Sequence, residues 1–173
     1  CEAAKLENNM SAMVRYVDGL TESATTSTEQ AQSNLKAMRT YIQDLSTQIP
    51  RTTEQISKMS AALGQSGIGA DRQMSTGILR DTAVAATAMD LEDDTAGNYM
   101  AKWEAAFNFN HDQVMTLMDQ INYLGANNAT TAAEIAQSVN QAASMGQIAG
   151  VDPSATAAIA TAICLVLAFP VSY

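Results

Sequence analysis

The chain has 173 residues, 47% of them hydrophobic but only 5% aromatic, and a formal net charge of −9. That length allows one domain, or a small domain with an extension, burying roughly two-thirds of the unfolded surface. An acidic surface repels phosphate backbones, which argues against nucleic-acid binding, and no Lys/Arg cluster is present to hold anionic lipid.

With so few aromatics the core must be built from Ala, Met, Leu and Ile, side chains that favour closely packed helices. Three prolines and nine glycines leave room for long ones, and no stretch alternates with period two for long enough to make a strand. The expected fold is all-α. Long N-terminal helices form a coiled-coil-like segment or hairpin over 1–49, and a compact multi-helix bundle follows over 51–173.

In chain order, apolar residues fall at Leu6, Met10, Met13, Val17 and Leu20, alternating four and three apart. They resume at Leu35, Met38, Ile42, Leu45 and Ile49 with the same alternation. This is the seam of a coiled coil or helical hairpin, and a self-association surface. The seam shifts by one residue across the polar stretch Thr21 to Gln30, which a register slip, a kink or a helix break would each explain. Pro50 ends the segment by disfavouring helix at Ile49. Thr52 and Gln55 then read as a capping box, opening a helix to about Leu63. Gly64 to Gly69 is a turn, and one alanine-rich helix runs from about Ala70 to Met89. Leu91-Glu92-Asp93-Asp94 starts the next, acids at its positive end, and it runs to Phe107. After an Asn108-Phe109-Asn110 connector, Val114, Leu117, Met118, Ile121 and Leu124 mark an amphipathic helix that Gly125 to Asn128 stops. Thr131 and Glu134 make a second capping box, and Ile135, Val139, Ala142 and Gly146 carry the inner face of its helix. Asp152-Pro153 starts a last one.

The order of these pieces carries a resemblance. A helix ends in Ala-Ala-Leu-Gly-Gln-Ser-Gly-Ile-Gly (61–69), and an alanine-rich helix, Thr82 to Asp90, follows. The acid-started helix to Phe107 leads to the run from His111 to Leu124. Asn128 to Val139 then leads to Gly150-Val151-Asp152-Pro153-Ser154-Ala155-Thr156. Over roughly 51–163 this set resembles the core domain of phage tail tape-measure proteins. The resemblance implies a structural role in a phage or prophage tail: the tube polymerises around an extended helical rod whose length sets its own. At 1.5 Å per residue, about 100 helical residues correspond to roughly 150 Å of tube. It implies tail tube subunits and tail assembly chaperones as partners, alongside copies of the chain itself, whose association the heptads also suggest. The expected location is the virion tail, or the host bacterial cytoplasm during assembly.

The ends read differently from the family. Beyond Ile163 the family continues with a glycine-containing turn and another helix, whereas here Cys164 to Tyr173 is an apolar run. Natural truncation, a cloning boundary or a reading-frame change would each account for those last ten residues. Cys1 has no preceding Met, which suits a processed chain or a fragment, and a mature bacterial lipoprotein also begins with Cys. Cys1 and Cys164 make neither a metal spacing nor a disulfide framework.

Nothing in the sequence spells an active site, a metal centre or a cofactor. His111 is the only histidine and reads as a surface or cap residue. Asp90, Glu92, Asp93 and Asp94 lack the spacing of a calcium loop and read as a helix-start cluster. Tyr99, Trp103 and Phe107 share a face and read as core, as do the methionines. Ala155 to Phe169 is shorter than the roughly 20 residues a membrane span needs, and reads as a buried helix rather than a membrane-active segment. The competing reading is a bacterial helical interaction or signalling module, or a secreted coiled-coil protein, without catalytic activity. The heptads support it equally well; the ordered helices after Pro50 do not.

Overall fold

A computed structural model describes the backbone of residues 2–107 and 109–144, and the side chains of 8–107 and 109–143. The described residues form eight helices: α1 Glu2–Tyr16, α2 Thr28–Gln48, α3 Thr53–Gln65, α4 Ala70–Ser75, α5 Ile78–Ala88, α6 Asp93–Phe107, α7 His111–Asn127 and α8 Ala132–Ser144. Among them there is no strand, only an isolated backbone pair between Ser23 and Thr26. The fold is all-α. Gly146, Asp152-Pro153 and the Ala155–Phe169 run lie outside the described residues.

Helix starts follow local chemistry. Ser27 caps α2 by accepting from the Gln30 N–H. Thr52 and Gln55 form the expected capping box on α3. Thr131 and Glu134 form the other on α8: Glu134 N–H donates to Thr131 Oγ1 at 3.2 Å, and Thr131 N–H donates to Glu134 Oε2 at 2.8 Å. A third box, Asn110 with Gln113, opens α7, so Asn110 is a cap rather than a passive connector. At Ile49 the backbone turns extended (φ −121°, ψ 138°), as the following proline requires.

Two boundaries differ from the sequence reading. The polar stretch is a helix break, and it begins earlier than its composition suggests. The chain leaves α1 at Tyr16, yet Val17 and Leu20 stay buried from the loop that follows. The helix expected from Ala70 to Met89 is two helices, interrupted at Thr76-Gly77, where Gly77 takes φ +75°. Helix α7 ends at Asn127, inside the expected stop from Gly125 to Asn128. Gly125 is also needed for close approach: a Cβ there would stand 2.6 Å from the Ala132 backbone nitrogen of α8.

The described residues divide into two compact units. Unit 1 runs to Thr87 and adds Glu92–Ala101; unit 2 comprises Ala88–Leu91 and the described residues from Lys102 onward. Pro50 lies within unit 1. Its core holds Met13, Met38, Ile42, Ile56, Met59, Leu63 and Leu79, all at most 2% exposed. Each such side chain stabilises the fold by about 1.5–3 kcal/mol. In unit 2 Trp103, Leu117, Ile121, Ile135, Ala136 and Val139 are fully buried and Phe107 is buried, so two of the three aromatics of the stripe are core, while Tyr99, in unit 1, is half-buried.

Candidate functional site

The candidate seam lies in unit 1, and most of it faces inward. Met13, Val17, Leu20, Met38, Ile42, Leu45 and Ile49 are buried, while Met10 and Leu35 are half-buried. The side chain of Leu6 lies outside the described residues. Helix α1 rests mainly on α3, a helix with small residues at the contact. Ser57 Oγ donates to Met10 Sδ at 3.2 Å. Asn9 Nδ2 donates to Glu54 Oε1 at 3.2 Å. The closest approach is at Gly64, where a Cβ would fall 2.7 Å from the Tyr16 carbonyl oxygen and 2.8 Å from Val17 Cγ2. The chain after α1 is held in turn by α4 and α2. Ala70 N–H donates to the Asp18 carbonyl at 3.0 Å, and Asn34 Nδ2 to the Gly19 carbonyl at 2.9 Å. Met10 and Ile42, one from each half of the seam, share a shallow groove of about 160 Å³ with Arg39, Gln43 and Thr53.

Two polar nodes that sequence reasoning did not find lock the same unit. Arg51 follows Pro50 and reaches two helices at once. Its guanidinium donates to Thr87 Oγ1 at 3.1 Å and to the Ala86 carbonyl at 2.7 Å, near the end of α5, and pairs with Asp93 Oδ1 at 3.0 Å, at the start of α6. Burial pushes the Asp93 carboxyl above its ordinary range, against the pull of Arg51 and Lys58. The second node is wholly buried. Ser60 Oγ donates to Gln73 Oε1 at 2.6 Å, and Gln73 Nε2 donates to the carbonyls of Ser60 and Ile68, fastening α4 to α3. Neither node has a signature along the chain, because the partners are brought together only by the fold. In unit 2 the Thr131 backbone N–H, then the Thr130 and Thr131 hydroxyls, hold the Glu134 carboxyl below its usual range.

These groups are arranged for packing and capping. His111 is exposed at the first position of α7. Among Asp90, Glu92, Asp93 and Asp94 only Asp93 is buried, and it faces Arg51. No group of three or more His, Cys, Asp or Glu among the described residues could hold a metal ion. No described helix is long and apolar enough to cross a membrane.

Residues 39–164, well over half of the chain, match the family described as phage-related minor tail protein. The chain belongs to this family. A probable tape measure protein of Halomonas phage phiHAP-1 is 32% identical over 113 residues, covering 62% of this chain. The chain therefore spans a small part of that relative, 13% of its length. No solved structure matches. The match to the minor tail family takes in the C-terminal part of α2, all of α3 to α8 and the Arg51 and Gln73 nodes, whereas α1 lies upstream of it.

Proposed function

We propose that this chain is part of a tape measure: a structural, non-enzymatic component of a phage or prophage tail that helps to template tail tube length. The observation that carries the reading is the match of residues 39–164 to the minor tail family, with a probable tape measure protein among the relatives. The chain acts in the virion tail, and during assembly in the host bacterial cytoplasm. Its partners are copies of itself, tail tube subunits and tail assembly chaperones, and it uses no cofactor. Residues 1–49 form the coiled-coil-like, self-associating part and residues 51–173 the tape-measure core. No observation favours a signalling or secreted module over this reading.

The test is genetic. Residues 39–164 are deleted in frame from the gene in the phage or prophage that carries it, and tails are measured by electron microscopy. Shortened tails, or none, are expected. Tails unchanged in both number and length would remove the tape-measure role.

A further inference from the structure

Residues 2–20 behave as a separable piece of unit 1. They meet the rest of the unit on a wall supplied by α2, α3 and α4, through the Asn9–Glu54, Met10–Ser57, Asp18–Ala70 and Gly19–Asn34 contacts. Met13, Val17 and Leu20 are buried there. The connection that follows, Thr21 to Ser27, is of another kind. Every residue in it except Thr26 is exposed. Its hydrogen bonds are local: Ser23 with Thr26 and Thr25, Thr28 with Glu22, and Ser27 with Gln30. All contacts between residues 2–20 and the wall could form equally between two chains, so only the connection decides which copy supplies the helix.

The connection is suited to more than one path. Thr21 to Ser27 contains neither Gly nor Pro, so it can extend α2 toward its N-terminus, with Glu22 near the new helix start. The wall residues Glu54, Ser57, Gly64 and Ala70 fall inside the stretch matched to the minor tail family, whereas residues 2–20 lie upstream of it. Asn34 of the wall also lies upstream of it, so the slot is built largely within the matched stretch and is filled by a helix from outside it.

We propose that residues 2–20 exchange between two copies of this chain, α1 of one docking on the α2–α3–α4 wall of the other while Thr21 to Ser27 straightens into helix. The exchange rests on the self-association assigned above. It replaces seam-to-seam pairing with α1 against α3, so the buried seam residues need not be exposed in the finished dimer.

The test uses full-length chains in which Cys1→Ser and Cys164→Ser remove the native thiols. One preparation carries Met10→Cys and another Ser57→Cys. The two are mixed at high concentration, equilibrated and treated with a short bis-maleimide. Exchange yields a covalent heterodimer, mapped by mass spectrometry to positions 10 and 57, whose yield rises with protein concentration. A parallel mixture of Asn9→Cys with Glu54→Cys, at more exposed positions, guards against a folding defect. The proposal is overturned if neither mixture gives its mapped heterodimer while chains carrying both cysteines of a pair cross-link only within themselves. That outcome would leave the tail reading intact, because tail length tests it separately.

Discussion

Three residues of unit 1 carry more than their side chains suggest. Gly64 lies in the last turn of α3, where alanine would be favoured by up to about 1 kcal/mol on helix propensity alone. Its missing Cβ, however, is what admits the Tyr16 carbonyl, a backbone atom that cannot swing aside. Gly64→Ala should therefore destabilise the protein by about 1–3 kcal/mol net, as overpacking does, read as a lower melting temperature by circular dichroism. A melting temperature at or above that of the parent would show that α1 yields without cost. The Arg51–Asp93 pair is asymmetric in a different way. Burial is the largest influence on Asp93 and raises its pKa. A carboxyl whose folded pKa exceeds its unfolded one contributes stability at low pH, and that contribution is lost as pH rises through the folded value. At neutral pH the charged Asp93 is thus a cost that Arg51 offsets. Asp93→Asn should change stability by less than about 1 kcal/mol, whereas Arg51→Met, which strands a buried carboxylate and the Ala86 carbonyl, should lose about 3 kcal/mol. Urea denaturation at pH 7 separates the two, and equal losses would contradict the asymmetry.

At the scale of elements, capping governs where helices begin, and one cap is titratable. The Glu134 carboxylate accepts from the Thr131 N–H and the Thr130 hydroxyl, and these bonds lower its pKa. A depressed carboxylate contributes stability above its unfolded pKa, lost as pH falls through the folded one. Amide protection in the first turn of α8 should therefore fall on acidification below the ordinary glutamate range. In Glu134→Gln, where an amide oxygen keeps the box without a charge, protection should not depend on pH there; the same acid-induced loss in that variant would assign the effect elsewhere. This cap was legible in the sequence, as were the Thr52 box, the stop at Pro50 and the burial of Trp103 and Phe107, because each is encoded by neighbours within one or two turns. The Asn110 box was equally local and was hidden only because Asn108-Phe109-Asn110 looks like a plain connector. The break at Thr76-Gly77 was harder, since glycine inside an alanine-rich run reads as a tolerated helical residue until its φ is known. Arg51, Gln73 and the Gly64 contact depend on residues far apart in the chain, and no periodicity announces them. The seam shows the same limit: its spacing identified an apolar face, but spacing does not say whether that face meets another chain or, as for Met13 and Ile42, the core of unit 1.

For the whole molecule the central question is whether compact units could serve the proposed measuring role. A drawn-out helix rises 1.5 Å per residue, whereas a residue added to a packed unit adds little to its long dimension. Helix α2, Thr28–Gln48, contains 21 residues. Duplicating it in frame within the phage gene should lengthen tails by about 30 Å if this region lies extended inside the tube. If unit 1 keeps its fold during assembly, the extra copy has no slot on α3, because Met38, Ile42 and Leu45 of the original already fill the core, and tail length should not change. Averaged images of parent and duplicated tails decide between the two. A shift of about 30 Å would make the folded unit a storage form that assembly opens, with the helical rise of α2 as the measure. No shift would assign the measuring to the rest of the tail protein and leave unit 1 as a folded element carried on it.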